Sequence, residues 1–297
     1  MSTIINPDNY SKNYINYLNT CFPNWGKAET YNWVFNRKVG KHQADIMLIT
    51  DENNEVIAGS GVTYRTLKID STTIDIGIMT GSWTLPQARG KGCFTQIIKE
   101  SVTLCAQKKV PFLTAFVTET NASYRRLKEA GCYELEANNY FSNESLFDVD
   151  ESIYSIHIIK PNLDEFYKLY LEFGKENDIF EYSKEEFNNQ YINKLILTHC
   201  AIINNNYFLF EENETTVRLT FISQSDIKTI QYFCNYIRKN KNKKVMFFST
   251  NKQNNKALEQ HNFASAKAFL MIKEAKNQQE NRNQIFEKLQ INLADKM

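Results

Sequence analysis

The chain has 297 residues, of which 42% are hydrophobic and 23% charged, enough apolar material for two globular domains. This balance excludes a disordered chain or a fibre. The 35 lysines and arginines nearly cancel the 34 aspartates and glutamates, so no overall basic field exists that would attract nucleic acid.

The six cysteines are scattered, and no two of them form a CxxC pair. This argues against a zinc site and against a secreted disulfide framework, and it favours buried thiols in a reducing compartment. The first ten residues lack the basic and apolar segments of a signal peptide, and no apolar run approaches the ~18 residues of a membrane span. The sequence therefore predicts a cytoplasmic protein without a metal, a membrane contact or a nucleic-acid partner.

Apolar periodicity divides the first half of the chain into alternating helices and strands. In chain order these are predicted helices over 7–22 and 27–38, strands over 44–50, 56–69 and 74–85, a helix over 93–108, a strand over 112–117, a helix over 122–130 and further strand within 132–148. The alternation predicts an α/β fold with a mixed central sheet and helices on both faces.

The second half repeats this order more faintly. The predicted elements are strands over 201–210 and 216–223, a helix over 226–239 with Ser225 or Asp226 as its N-cap, a strand over 245–248, a helix over 253–260 and a strand over 264–273. We therefore predict two domains in tandem, with a first domain over 1–148, a degenerate second copy over 149–275 and a polar helical tail over 276–297.

Glycine use differs between the halves, because nine of the ten glycines lie at or before Gly131. Residues 86–94, PQARGKGCF, stand between a predicted strand and a predicted helix. Two glycines there let the backbone approach a ligand closely, and the helix N-terminus, Arg89 and Lys91 supply positive charge. The segment is neither a Walker A loop nor GxGxxG. It predicts an anion cradle, and the simpler alternative is a solvated glycine-rich turn.

A second motif, TNASYRRLKEAGC over 120–132, opens a helix after a buried strand and ends it at glycine. Together, Gln87-x-x-Gly90-x-Gly92 and this helix resemble the pyrophosphate loop and second cofactor helix of the GNAT N-acetyltransferases. The resemblance covers about residues 44–148, and the order of elements agrees with it. Over 154–273 the same family is implied by element order alone.

The resemblance implies an acyl-CoA site, for acetyl-CoA or another acyl-CoA, in a splayed V between the strands over 78–85 and 112–117. Backbone N–H groups of 89–93 would hold the pyrophosphate, and the helix over 120–132 would flank the other side. The cofactor-binding residues implied are Trp83, Thr84, Leu85, Arg89, Gly90, Lys91, Gly92, Cys93, Phe94, Asn121 and Ser123.

One departure from the family pattern concerns proton transfer. In the family, a tyrosine often protonates the departing thiolate. The corresponding position in this sequence is Leu127, which cannot donate a proton. Tyr124, three residues earlier on the helix, is our candidate acid, and helix packing is its alternative role. Glu119, just past a predicted strand, is the candidate base, with Asp75 second, although either could be an ordinary exposed acid. Cys93 at a helix N-terminus leaves a covalent acyl-cysteine route open.

The function predicted is direct transfer of an acyl group from CoA to a primary amine of a small molecule. Residues 33–40 and RGKGCF also resemble a subgroup associated with bacterial cell-surface sugars, which makes an amino sugar a candidate acceptor. A non-catalytic acyl-CoA sensor is the alternative, motivated by Leu127. A nucleotide or nucleic-acid binder using Arg89, Lys91, Arg125 and Arg126 is disfavoured by the near-zero net charge.

Overall fold

The computed structural model describes residues 1–37, 39–70, 72–223, 226–275, 286 and 288–296, with only the backbone at 252 and 253. The helices are α1 Ser11–Cys21, α2 Ala28–Tyr31, α3 Cys93–Gln107, α4 Ala122–Glu129, α5 Leu163–Glu176, α6 Lys184–Phe187, α7 Ile227–Lys241 and α8 Lys252–Gln260. The strands are β1 Ser2–Ile5, β2 Asp45–Thr50, β3 Val56–Ile69, β4 Thr72–Thr84, β5 Phe112–Thr118, β6 Tyr133–Phe141, β7 Ile156–Ile159, β8 Ile179–Glu181, β9 Thr198–Ile203, β10 Asn206–Glu212, β11 Thr216–Ile222, β12 Lys244–Ser249 and β13 Ala264–Glu274.

The two halves of the chain contain the same elements in the same order. Each begins with a short strand and a helix, and each then has a four-residue helix that continues as a π-helical turn, Asn32–Asn36 after α2 and Asn188–Ile192 after α6. Three strands, a helix, a strand, a helix and a last strand complete each half, and β8 is an addition to the second. The mixed α/β fold and the tandem arrangement predicted from the sequence are confirmed.

All thirteen strands belong to one sheet, in which the last strands of the two halves are exchanged. The order is β1-β2-β3-β4-β5-β13-β6-β12-β11-β10-β9-β7, and β8 pairs with β3. Strand β13 of the second half lies antiparallel between β5 and β6 of the first, and β6 in turn pairs with β12. The limits predicted for the two domains therefore divide the chain but not the sheet.

Helices cover both faces of this sheet. In the first half, α3 and α4 pack on one face, which we call the α3 face, over strand side chains such as Met47 and Val117. Helices α1 and α2 cover the opposite face, the α1 face, over a largely aromatic cluster with Tyr14 and Trp83. The alternation of apolar side chains along the central strands supplies both cores.

Two strand predictions need correction. The apolar run over 201–210 is a hairpin of β9 and β10, because Asn204 and Asn205 both adopt positive φ, 47° and 66°, as a tight two-residue hairpin turn requires. The strand expected within 132–148 ends at Phe141. Elsewhere the predicted boundaries agree with the structure to within a few residues, and Asp226 is the N-cap of α7.

The polar helical tail predicted over 276–297 is wrong where the structure describes it. Residues 276–285, 287 and 297 lie outside the described residues, and Leu293–Lys296 is a short 3₁₀ turn. The side chains of Phe286, Leu289, Ile291 and Ala294 are all buried in the main core cluster. The polar composition of the tail concealed these few apolar side chains, whose burial holds the segment against the body of the protein.

Candidate active site

Strands β4 and β5 form a V that opens towards their carboxyl ends. They pair in parallel at three positions, from Ile76 with Phe112 to Ile78 with Thr114. Beyond that point β4 stays paired with β3 and β5 with β13, but no further pairing joins β4 to β5 among the described residues. The peptide groups on the two inner edges of the V are therefore available to a ligand. The divergence that the family resemblance implies is present.

The glycine loop lies at the open end of this V, because it connects the end of β4 to the start of α3. Gly90 and Gly92 have φ values of 82° and 83°, which side chains other than glycine rarely adopt. Gly92 is the N-cap of α3, and no side chain caps the helix. The N–H groups of the first turn of α3 thus face outwards uncapped, beside the exposed side chains of Arg89 and Lys91.

The backbone N–H groups of residues 89–93, which the resemblance assigns to the pyrophosphate, are not all available to a ligand. The N–H groups of Arg89 and Lys91 donate to the carbonyls of Pro86 and Ala88, both at 3.3 Å, and so hold the loop in shape. A carbon atom added to Gly90 would meet nothing within 4 Å. The cradle is therefore roomy as well as basic, as the binding of a diphosphate requires.

The structure argues against a reactive thiol at Cys93. Its side chain is 2% exposed, and its sulfur lies 3.7 Å from the carbonyl oxygen of Ala88 and 3.9 Å from the sulfur of Met1. Burial raises the pKa of the Cys93 thiol and outweighs the lowering by Lys91. The covalent acyl-cysteine route is therefore disfavoured.

The residues at the end of β4 contribute backbone rather than side chains to the V. Trp83 is buried on the α1 face, where its ring stacks on Tyr17 at 4.9 Å, and Leu85 is buried in the same cluster. The carbonyl of Thr84 accepts a hydrogen bond from the thiol of Cys21. Phe94, half-buried, packs against the core under α3.

A β-bulge in β4 lies within the V and was not identified from the sequence. Gly59 pairs with Trp83 and Gly61 with Thr80, so Gly81 and Ser82 together oppose Ser60. Gly81 has a φ of 61°, and the hydroxyls of Ser60 and Ser82 lie 2.7 Å apart. Such a bulge interrupts ladder pairing and leaves peptide groups free. A glycine inside a predicted strand was the available signal.

The residues of α4 lie at the same end of the V but make local contacts. Asn121 caps the helix, since its side-chain oxygen accepts the N–H of Ser123 at 3.0 Å. The ring of Tyr124 stacks on Phe269 of β13 with 4.7 Å between centroids, and its hydroxyl donates to Glu134 of β6 at 3.3 Å. Both partners lie beyond β5, on the side away from β4. This orientation favours a packing role for Tyr124.

Leu127 is 2% exposed and packs with Ile98, Val117 and Met271 in the core under α4. The carboxylate of Glu119 is exposed just beyond the end of β5, at the open end of the V. Asp75 is remote from that end, and it accepts a hydrogen bond from Thr66 at 2.6 Å and pairs with Lys41 at 3.3 Å. Of the acidic candidates, only Glu119 is thus near the opening.

The second half contains a corresponding V that is closed by the chain itself. Strands β11 and β12 pair in parallel at three positions, from Thr216 to Arg218, and the short connection to α7 contains no glycine. The carboxylate of Asp226 accepts the N–H groups of Lys228 and Thr229, both at 3.2 Å, at the N-terminus of α7. An internal anion therefore occupies the place where the first half offers free N–H groups.

The segment 288–296 covers the other face of this second V, where its last turn contacts β11 and β12. Thr250 donates to the carbonyl of Leu289 at 2.7 Å, and Gln190 donates to that of Ala294 at 2.6 Å. The buried carboxylate of Asp295 accepts hydrogen bonds from the hydroxyls of Tyr182 and Tyr191, and burial raises its pKa to about 6.

Within the described ranges, no group of three or more histidine, cysteine, aspartate or glutamate side chains could hold a metal ion. The same part of the chain contains no helix long and apolar enough to cross a membrane. All six cysteines are free thiols.

Comparison with known proteins agrees with this geometry. Residues 7–128 match the family model of the acetyltransferase (GNAT) domain, whereas no curated protein matches the chain in sequence. A probable N-acyltransferase of Enterococcus faecalis V583 is similar in structure at 12% identity, over 93% of this chain and 73% of that one, with a TM-score of 0.65.

Two further structures share the fold of the whole chain. A tandem GNAT protein from the clavulanic acid biosynthesis pathway is 10% identical over 93% of this chain and 100% of its own, with a TM-score of 0.57. Saccharomyces cerevisiae N-myristoyltransferase with bound myristoyl-CoA is 12% identical over 91% and 82%, with a TM-score of 0.59. Residues 7–128 thus match the acetyltransferase (GNAT) domain, and the chain as a whole shares the fold of a tandem GNAT protein.

Proposed function

We propose that this enzyme transfers a short acyl group, in the first instance acetyl, from CoA to the primary amine of a small molecule, with an amino sugar as one candidate acceptor. The observation that carries the proposal is the combination of the open V with the uncapped N-terminus of α3 at its mouth. Acyl-CoA supplies the activated thioester, and the chain supplies position and charge.

The cofactor residues divide by the part of the ligand that they would meet. The first turn of α3, from Gly92 to Phe94, and the side chains of Arg89 and Lys91 would hold the diphosphate. The backbone of 83–85 and the bulge at Gly81 would line the pantetheine and the thioester. Asn121 and Ser123 would border the ligand from α4, mainly through their backbone, because the Asn121 side chain caps its own helix.

Direct transfer needs little proton chemistry from the protein. An amine attacks only when neutral, and Glu119 at the open end of the V is our candidate to accept its proton. A thiol has a pKa of about 8.5, so the CoA sulfur can leave as the thiolate near neutral pH. The buried Leu127 is compatible with departure of CoA as the thiolate, because this route requires no tyrosine at that position to donate a proton.

The test is the release of CoA thiol from acetyl-CoA by the purified chain, measured against a panel of primary amines that includes amino sugars and amino-sugar nucleotides. We expect release above the amine-free background with at least one member, together with an acetylated product of matching mass. Tight binding of CoA without release for any amine would instead support the non-catalytic sensor.

A further inference from the structure

An aromatic ring lies against the bulge of the first V, and two glycines make this contact possible. Phe35, in the π-helical turn after α2, packs on the α1 face over β3 and β4. A Cβ atom on Gly61 would lie 2.4 Å from Cε1 of Phe35, and one on Gly81 would lie 3.4 Å from its Cζ. Any larger residue at position 61 would push the ring away from the strands.

The ring is part of a tightly filled wall. Phe35 is 4% exposed and packs edge-on to Tyr14 with 5.7 Å between ring centroids, while Leu18, fully buried, lies 3.6 Å from where a Cβ of Gly81 would be. Protein interiors of this kind resist added atoms, because each inserted methylene forces side chains off their rotamers.

Phe35 also lines a separate pocket. This pocket has a volume of about 390 Å³ and is formed with residues 36, 37 and 39–44. The same ring thus contacts the strands of the V at Gly61 and Gly81 and borders this space. A chain of carbon atoms that left the bulge on the α1 face would therefore meet Phe35.

We propose that Phe35 is a specificity-determining residue that limits the donor to short acyl groups, with acetyl preferred. This inference rests on the proposed function, since it takes the thioester to lie beside the Gly81 bulge. Acetyl ends one carbon beyond the carbonyl and so brings the least chain against the ring. Butyryl or a longer chain has to displace Phe35 or pull its thioester away from the bulge.

The experiment compares dissociation constants of CoA, acetyl-CoA, butyryl-CoA and octanoyl-CoA, measured by calorimetry on the full chain, so no acceptor is needed. A pocket that discriminates by one methylene typically does so by about 10- to 200-fold. We expect butyryl-CoA to bind at least about tenfold more weakly than acetyl-CoA, and octanoyl-CoA more weakly still. Phe35→Leu should reduce the acetyl-to-butyryl ratio to about twofold or less.

Phe187→Leu is the control, because Phe187 is a buried aromatic residue at the end of α6, just before the corresponding π-helical turn of the second half, and its replacement should leave the ratio unchanged. Gly61→Ala is a second variant, which displaces the ring without shortening it and should also reduce the ratio. Equal affinity of the wild type for all three acyl-CoAs, or a ratio unchanged in both Phe35→Leu and Gly61→Ala, would overturn the inference. Failure of CoA itself to bind would instead contradict the proposed function.

Discussion

The two halves of this chain share their elements but differ where a strand turns into a helix. Helices α3 and α7 both have 15 residues, and both follow a strand that pairs with its parallel neighbour at three positions. The first half reaches its helix through a loop with Gly90 and Gly92, whereas the second uses Asp226 as N-cap. The two halves thus share an architecture, and they differ in the one connection that we propose binds an anion.

The second half contributes structurally to the candidate site of the first half, although it has no such site itself among the described residues. Its last strand, β13, is the partner of β5 from Thr118 to Phe112, so it supports one arm of the first V. Its own V is covered on one face by the segment 288–296, and Asp226 caps the helix at its mouth. The degenerate half is thus required for the geometry of the functional one, although it offers no corresponding cradle among the described residues.

The largest effect is expected when the N-terminus of α3 is given a carboxylate, like the one that Asp226 places at the N-terminus of α7. Gly92→Asp should weaken CoA binding by at least about 100-fold, because a carboxylate at the N-terminus of α3 repels the diphosphate and competes for its N–H groups. Calorimetry checks this. Gly92→Asn is the control, since it has the same shape and a similar tolerance of positive φ without the charge, and it should bind more tightly than Gly92→Asp. Equal affinity of the two variants would contradict the electrostatic role of the cradle.

Replacing the candidate base tests whether the exposed carboxylate of Glu119, at the open end of the V, takes part in the reaction. Glu119→Gln should lower turnover about tenfold near pH 7 and leave the affinity for CoA unchanged. The defect should shrink as the pH rises, because a larger fraction of the acceptor amine is then neutral without help. The pH profile of kcat with a responsive amine checks this. A defect that is constant with pH would assign Glu119 another role.

A smaller effect is expected from removing the internal anion of the second half. Asp226→Ala should reduce the free energy of unfolding by about 1 kcal/mol, because the first N–H groups of α7 lose their acceptor. It should not create a second CoA site, because the connection still lacks glycine. Thermal unfolding and the stoichiometry of CoA binding check both statements. Binding of two CoA molecules per chain, in the variant or the wild type, would refute the statement that only the first half binds CoA.

The smallest effect is expected at Tyr124. The sequence predicts an acid there, whereas the structure directs its hydroxyl to Glu134 and its ring to Phe269, both beyond β5. Tyr124→Phe keeps the ring, so turnover should change by less than about twofold. A loss of tenfold or more with unchanged CoA affinity would restore the hydroxyl as the proton donor.

Much of the fold was predictable because its signals are local. The bounds of β3, for instance, follow from a stretch rich in apolar and β-branched residues, and those of α3 from its apolar stripe after the glycine loop. The glycine loop itself was recognisable because two glycines and two basic residues stand together between a predicted strand and a predicted helix. The hairpin at Asn204 and Asn205 was missed because the apolar pattern continues on both sides of the turn.

The sequence alone predicted the alternation of strands and helices in both halves, the position of the candidate anion cradle and the resemblance to the GNAT family, since each depends on residues close together in the chain. Only the tertiary structure decided that β13 lies between β5 and β6, that Tyr124 is directed away from the V and that Phe35 lies against its bulge. The reason is physical: strand pairing and side-chain packing join segments that are tens of residues to more than a hundred residues apart in the chain, and the energy of burial depends on those partners rather than on local pattern.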